Sequence, residues 1–231
     1  MEAIVLAGGF GTRLKSVVKD VPKPMADING KPFLVYLFNY LVSNGVSKVI
    51  LSVGYKQNVI KKYFSNNYNG LNILYSSEET PLGTGGAIKR ALTLVGDETQ
   101  RVLILNGDTF FNVNLKKLKL SSMQNQFNII LSLKLMKDFD RYGSVRLKDE
   151  RVVGFEEKKF FKKAYINGGV YLVKKDILDN MEKLFSFSFE KFIEDNLKSL
   201  NIYSFKDDGY FIDIGIPEDY EKAKIDFKEL F

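Results

Sequence analysis

Hydrophobic positions along the chain form short continuous runs that alternate with longer amphipathic stretches. Runs of strand type cover residues 3–7, 48–53, 72–75, 102–105 and 128–133. Stretches with apolar residues on one helical face lie between them, at 33–44, 58–64 and 85–94. Strands that alternate with helices of this length are typical of βαβ units. The sequence therefore predicts an α/β fold with a mixed, mainly parallel sheet flanked by helices.

The pattern changes after about residue 135. Residues 143–147 and 152–156, separated by four charged residues, predict an antiparallel hairpin. A further strand is predicted at 169–173, with helices at 188–197 and 218–227. Since no linker, repeat or low-complexity tract divides the sequence, we predict a single domain over 1–231 with halves of about 1–135 and 136–231.

The 231 residues include no histidine and no cysteine. This composition excludes disulfides, thiolate chemistry, Cys/His zinc sites and Ser-His-Asp triads. Catalysis must then use carboxylates, lysine, arginine, hydroxyls and backbone amides. A metal, if one is used, is expected to be a hard, oxygen-liganded cation such as Mg²⁺.

The charge distribution suits a small anionic ligand at least as well as nucleic acid. The net charge is +6, but the lysines are scattered and form no long basic block, so no nucleic-acid partner is predicted. No apolar run approaches transmembrane length, and Met1 leads directly into a strand. We therefore expect a cytoplasmic protein with no membrane partner.

A glycine-rich loop follows the first predicted strand, in the stretch LAGGFGTRLKSVVKDVPKPM at residues 6–25. Gly8, Gly9 and Gly11 allow backbone N–H groups to approach an anion closely. Arg13 adds a planar fork suited to phosphate oxygens, and two prolines restrict the backbone on either side of Lys23. These features indicate a polyphosphate site. A plain turn followed by a solvated basic loop is the alternative, and neither a P-loop nor a complete G-x-G-x-x-G pattern is present.

Two aspartates stand where predicted strands end. Asp108 follows the run at 102–105, and Asp213 follows Tyr210-Phe211-Ile212. Each alone is more often an Asx turn or a helix cap. Together they supply the one or two carboxylates that nucleotide-bound Mg²⁺ uses.

Three other short motifs have both a structural and a functional interpretation. The small-residue turn at 81–86 is either a helix entry or a contact for the edge of a nucleobase. The charged cluster at 156–159 is either a solvated hairpin edge or a ligand site. Asn167, before Gly168 and Gly169, either belongs to a hairpin turn or contacts sugar hydroxyls while the glycines admit the ring.

Taken together, these segments resemble the sugar-phosphate nucleotidyltransferase family. The resemblance is carried, from residue 3 to residue 223, by LAGGFGTRL, PKPM, LGTGGA, NGD, YG, EK, NGG and DIG-PEDY. It implies a Rossmann-like core and a Mg²⁺-dependent reaction of a nucleoside triphosphate (NTP) with a sugar 1-phosphate that releases pyrophosphate. Residues 1–135 would form a nucleotide half and residues 136–231 a sugar-phosphate half.

The same resemblance implies individual roles. The implied nucleotide-binding residues are Leu6, Ala7, Gly8, Gly9, Gly11, Thr12, Arg13, Lys23, Gly83, Thr84 and Asp108. The implied sugar-phosphate-binding residues are Glu157, Lys158, Asn167, Gly168 and Glu190. Arg13, Lys23 and Lys158 would be catalytic, by neutralising phosphate charge, and Asp108 and Asp213 would be the metal ligands.

The substrate pair is inferred from one segment. SSEETPLGTGGAI, at residues 76–88, resembles guanylyltransferases that act on a D-glycero-D-manno-heptose 1-phosphate. A mannose-1-phosphate guanylyltransferase and a uridylyltransferase remain alternatives, as does a catalytically silent sugar-nucleotide sensor. Whether the protein forms a homo-oligomer is left open by the sequence.

Overall fold

A computed structural model of the chain describes residues 1–9, 14, 18, 20–124, 126–181 and 186–231. The strands in these ranges are β1 (Glu2–Leu6), β2 (Asp27–Ile28), β3 (Lys31–Pro32), β4 (Lys48–Val53), β5 (Asn67–Tyr68), β6 (Leu71–Ser77), β7 (Arg101–Asn106), β8 (Thr109–Phe111), β9 (Ile129–Phe139), β10 (Ser144–Lys148), β11 (Arg151–Glu156), β12 (Phe161–Lys174), β13 (Ile202–Lys206) and β14 (Phe211–Asp213). The helices are α1 (Phe33–Ser43), α2 (Gln57–Phe64), α3 (Gly83–Leu92), α4 (Leu115–Gln124), α5 (Phe189–Asp195) and α6 (Pro217–Leu230).

One ten-stranded sheet, in the order β10-β11-β13-β9-β12-β7-β1-β4-β6-β5, organises the molecule. Its parallel part is β7-β1-β4-β6, in which Ala3 lies opposite Val49 on one side and Leu103 on the other. The predicted fold class, a mixed sheet flanked by helices, is confirmed. Because the carboxyl ends of these parallel strands lie at one edge, the segments that follow them are brought together there.

The second half of the chain extends the same sheet. β12 lies antiparallel between β7 and β9, and β13 runs parallel to β9. The predicted hairpin is β10–β11, which forms the outer edge. The two halves therefore share a continuous set of strand pairings.

Three strands of the parallel part, β1, β4 and β7, are buried on both faces. Val5 belongs to the apolar cluster that α1, α2 and α6 cover, whereas its neighbour Ile4 belongs to the cluster that α3 and α5 cover. This is why these strands appear in the sequence as continuous apolar runs rather than as an alternating pattern.

The strands and helices predicted from the sequence are present, with shifted ends. β9 and β12 are much longer than the predictions at 128–133 and 169–173, and β8, β13 and α4 were missed. The prediction that Asn167-Gly168-Gly169 precedes a strand is wrong, and so is its hairpin-turn alternative. These residues lie inside β12, at a point where its register with β9 shifts. Among the described residues, no helix is both long and apolar enough to cross a bilayer.

Candidate active site

A cleft of about 300 Å³ lies at the carboxyl ends of the parallel strands. It is lined by Leu6, Gly8, Gly9, Ser52, Glu78, Pro81, Gly83, Thr84, Ala87, Asn106, Asp108 and Glu190. Seven of these were predicted from the sequence: Leu6, Gly8, Gly9, Gly83, Thr84, Asp108 and Glu190. A larger cleft of about 800 Å³ lies at the amino end of β7, and the predicted site residues that the structure describes do not line it. Ligands of open α/β sheets bind at the carboxyl edge, so the smaller cleft is the candidate site.

Lys23, Asp108 and Asp213 form one charged cluster. The Lys23 ammonium lies 2.6 Å from Oδ2 of Asp108 and 3.4 Å from Oδ1 of Asp213. Only 10% of the Lys23 side chain is exposed, so solvent screens these contacts weakly. Lys23 is 85 positions from Asp108 and 190 positions from Asp213 in the chain, so the fold brings distant residues together here.

Local structure explains why these three side chains meet. Lys23 begins a single 3₁₀ turn, Lys23–Met25, which is anchored by the buried side chains of Pro24 and Met25. β14 pairs with β8 so that Asp213 lies opposite Thr109, the residue after Asp108. The sheet edge therefore presents both carboxylates to the lysine.

The helix that follows β14 is fixed by aromatic packing. Phe227 of α6 is buried, and its ring contacts those of Phe33, Tyr36 and Phe110 at centroid distances of 5.9, 4.7 and 5.5 Å. Such pairs contribute about 0.5–1.5 kcal/mol each beyond the area that they bury. This packing holds α6, and with it the segment that ends in Asp213, against the first half of the chain.

The charged cluster carries one more carboxylate than it has ammonium groups. Burial and, after it, the charge of Asp108 raise the pKa of the Asp213 carboxyl above its usual value, although Lys23 and the Gly215 N–H oppose that shift. Two convergent carboxylates fit the oxygen ligands that Mg²⁺ takes from a protein. Since the described residues hold no cluster of three or more acidic groups, such an ion would need phosphate or water oxygens for its other positions.

The turn before α3 is shaped by a segment from the second half of the chain. The N–H of Gly85 donates to the Phe187 carbonyl at 2.9 Å, and the Phe187 N–H donates to the Leu82 carbonyl at 3.0 Å. Gly83 has φ +65°, and a Cβ there would lie 2.5 Å from the Phe187 oxygen. Glycine is needed at 83 both for its backbone conformation and for this close approach.

A chain of hydrogen bonds links this turn to β12. Oε2 of Glu190 accepts from Thr84 at 2.9 Å and from Ser188 at 2.7 Å, and Oε1 accepts from the Tyr171 hydroxyl at 3.4 Å. The Tyr171 hydroxyl accepts in turn from Nδ2 of Asn167 at 2.8 Å. Asn167 and Glu190 are thus held in fixed orientations by a buried tyrosine that the sequence did not single out.

Other predicted residues are not part of this arrangement. Glu157 and Lys158 are exposed beyond the end of β11, and Lys158 makes no hydrogen bond or ion pair with any described residue. Ala7 is buried beneath the cleft, and its N–H donates to the Ser52 carbonyl. Gly168 does not line the cleft; a Cβ there would meet the Phe111 ring. Gly11, Thr12 and Arg13 lie outside the described residues.

Residues at or near the site that sequence reasoning missed include Ser52, Glu78 and Arg141. Glu78 and Ser52 line the cleft near the ends of β6 and β4. Arg141, in the loop before β10, forms an ion pair of 2.7 Å with Asp219 and contributes charge near Asp213. Asp108 was predicted because it is a carboxylate just after a strand. Glu78 has the same position after β6, so the same pattern could have predicted it.

A family model described as nucleotidyl transferase matches residues 2–229 of this chain. The chain belongs to that family. It is 53% identical to the D-glycero-alpha-D-manno-heptose 1-phosphate guanylyltransferase of Campylobacter jejuni, over 95% of this chain and 97% of that one. It is 49% identical to the protein of the same name from Aneurinibacillus thermoaerophilus, over 97% of each chain. The family recognised from the sequence motifs is thereby confirmed.

Solved structures of the family support the same fold. HddC from Yersinia pseudotuberculosis superposes with a TM-score of 0.88 at 40% identity, covering 98% of this chain and 99% of that one. A second structure of that protein, in complex with GMP-PN, superposes with a TM-score of 0.86.

Proposed function

We propose that this protein transfers GMP from GTP to D-glycero-α-D-manno-heptose 1-phosphate, which yields the GDP-heptose and pyrophosphate. The observation that carries the proposal is the identity of 53% and 49%, over at least 95% of each chain, to two guanylyltransferases named for that sugar phosphate. Because the donor is a nucleoside triphosphate, the compartment that we propose is the cytoplasm.

The cleft residues suit each part of this donor. Leu6, Pro81 and Ala87 provide apolar walls for a flat base beside the Gly83 turn. Lys23, which pairs with the cleft residue Asp108, carries the positive charge that phosphate oxygens need. We assign the triphosphate to the Lys23 end of the cleft and the base to the Glu78 end.

The proposed reaction is an in-line displacement at the α-phosphorus. A phosphate oxygen of the sugar 1-phosphate forms the new P–O bond while the bond between the α-phosphorus and the leaving pyrophosphate breaks. Lys23 neutralises the charge that develops on the phosphates, and Lys158 holds the phosphate of the sugar. No covalent protein intermediate is required, which suits a chain without cysteine or histidine.

Mg²⁺ is proposed as the cofactor, with Asp108 and Asp213 as its protein ligands. When bound, it would withdraw charge from the phosphates and favour departure of pyrophosphate. The contribution of the chain itself is to place both carboxylates at one sheet edge and to orient the reacting groups.

The test is pyrophosphate release measured with GTP, UTP, CTP and dTTP, each combined with the heptose 1-phosphate and with mannose 1-phosphate. We expect GTP to be preferred by a factor of about 10⁴, because a base that mismatches the pocket leaves buried polar groups unpaired. The heptose should be preferred over mannose by about 10- to 200-fold, since only the extra CH₂OH arm differs. A preference for UTP would refute the guanylyl assignment, and no turnover with any pair would favour a silent sensor.

A further inference from the structure

We propose that Arg141 is a positioning residue, which ties the hairpin that carries Lys158 to the segment that carries Asp213. This inference rests on the proposed function and adds to it a residue that acts without touching either substrate. It begins from the ion pair of 2.7 Å between Arg141 and Asp219. Arg141 lies in the loop 140–143 that joins β9 to β10, and Asp219 lies in the first turn of α6.

One end of the loop 140–143 is fixed to the hairpin. Gly143 directly precedes β10, whose first residue, Ser144, lies opposite Glu156 at the end of β11. A Cβ at position 143 would lie 2.5 Å from the Glu156 carbonyl oxygen, so the loop backbone passes close to the end of β11. Lys158 follows Glu156 by two residues. The loop and this lysine are therefore attached to the same end of the hairpin.

The side chains of the loop contact the segment around Asp213. The Tyr142 ring packs edge-on against that of Phe211, with the ring centroids 5.9 Å apart. Phe211 belongs to β14 and precedes Asp213 by two residues. Asp219, the partner of Arg141, follows Asp213 by six residues. The loop thus contacts this segment both before and after the proposed metal ligand.

Of these two contacts, the ion pair is the one that fixes direction. A hydrogen bond between a guanidinium and a carboxylate is strong and directional, whereas two rings in contact tolerate a range of distances and tilts. Asp219 is a well-placed partner because the dipole of α6 favours a negative charge in its first turn. The guanidinium also attracts the Asp213 carboxylate itself. Arg141 therefore sets the position of the hairpin end relative to Asp213.

This position matters because the proposed reaction joins groups held on the two sides of the ion pair. Lys158 would hold the phosphate that attacks, and Asp213 belongs to the cluster that would hold the triphosphate. An in-line displacement needs the attacking oxygen and the α-phosphorus in near-attack geometry, and a displacement of about 1 Å can cost about 100-fold in rate. Loss of one of the two contacts of the loop should displace the hairpin end by less than that and cost about 10-fold.

The test is a double-mutant cycle of Arg141→Met and Asp219→Asn, measured by pyrophosphate release with GTP and the heptose 1-phosphate. Each single variant should lower kcat by about 10-fold, and the double variant should lower it by the same factor rather than by about 100-fold. The KM for GTP should stay near the wild-type value.

Two further variants sharpen this cycle. Arg141→Lys keeps the charge and should recover part of the lost kcat. Glu221→Gln is the matched control, because it removes an ion pair of 2.8 Å with Lys224 that lies wholly within α6. It should keep the wild-type kcat and both KM values.

Urea denaturation separates positioning from a purely structural role. The Arg141 side chain is 39% exposed, and ion pairs this accessible contribute little to stability. The variants should therefore unfold at nearly the wild-type urea concentration while kcat falls. A loss of kcat that is accompanied by a matching fall in the urea midpoint would mean that Arg141 only stabilises the fold.

Three kinetic results would contradict the proposal or the function beneath it. If Arg141→Met lowered kcat and Asp219→Asn did not, the guanidinium would bind a phosphate directly instead of acting through Asp219. Wild-type kcat in Arg141→Met would remove any role for this residue in the reaction. Failure of the wild-type protein with every nucleotide and sugar phosphate would refute the proposed function itself, whereas wild-type turnover with unaffected variants would refute only the role of Arg141.

Discussion

The two halves of the chain differ in how their candidate lysines are held. In the first half of the chain, Lys23 is 90% covered and lies within 3.4 Å of two carboxylates. In the second half, Lys158 is exposed at the end of a hairpin and has no ionic or hydrogen-bond partner among the described residues. The site that we propose for the triphosphate is therefore built into the sheet edge, whereas the site that we propose for the sugar phosphate would need the substrate to complete it.

The largest effect on activity is expected from substitution of the two aspartates that contact Lys23. Asp108→Asn and Asp213→Asn should each lower kcat by at least about 100-fold, because a positioned charge in a closed site is worth several kcal/mol. The measurement is steady-state pyrophosphate release, together with a titration by EDTA that Mg²⁺ reverses. Asp149→Asn, in the exposed β10–β11 turn, is the matched control. Full activity in EDTA would contradict the assignment of both aspartates as metal ligands.

A smaller and more selective effect is expected at Lys158. Lys158→Ala should raise the KM for the sugar 1-phosphate by about 30- to 1000-fold, more than the KM for the nucleotide, because one charge-assisted contact is lost. Lys23→Ala should instead chiefly lower kcat.

The control for Lys158 is its neighbour Lys159. Lys159 is also exposed, and it forms an ion pair of 2.9 Å with Glu156 at the same hairpin. Lys159→Ala should leave both KM values unchanged. Normal kinetics of Lys158→Ala would mean that residues 156–159 are only a solvated edge.

The smallest effect concerns the hydrogen bonds that Tyr171 makes with Asn167 and Glu190. Tyr171→Phe leaves Nδ2 of Asn167 without its acceptor, so the free energy of unfolding should fall by about 1 kcal/mol. The KM for the sugar 1-phosphate should rise a few-fold as Asn167 loses its fixed orientation. Chemical denaturation and steady-state kinetics measure the two changes.

Tyr165→Phe, on the same strand, is the control for this variant. Its ring contacts Lys206, so removal of the Tyr165 hydroxyl leaves that contact in place. If Tyr171→Phe matched the wild type in both stability and KM, the chain of hydrogen bonds would not position the sugar site.

The features that could be predicted from the sequence are those that depend on residues close together in the chain. Parallel strands buried on both faces appear as apolar runs, and a strand-end aspartate such as Asp108 is visible beside its motif. β13 was missed because its five residues alternate too briefly, and β12 is longer than predicted because pairing with β9 extends it through Lys162 and Lys163.

Contacts between distant segments were not predictable from one sequence. The hydrogen bond from Thr84 to Glu190 joins residues 106 positions apart. Nothing in the sequence around either residue predicts the other as its hydrogen-bond partner. The need for glycine at 83 likewise comes from its positive φ and from the Phe187 backbone, more than 100 positions away in the chain. The resemblance to a family pointed to Glu190, but its hydrogen-bond partners became visible only in the fold.

The place of β12 in the sheet has a consequence for how the protein is made. β7 is complete at Asn106, yet the strand that covers its free edge does not end until Lys174. Chains fold from the N-terminus during synthesis, so β7 emerges from the ribosome long before that partner. An uncovered strand edge is a template for pairing with another chain. Newly made molecules are therefore most prone to aggregate while translation proceeds between these two residues, and a fragment ending near 135 would keep that exposed edge permanently.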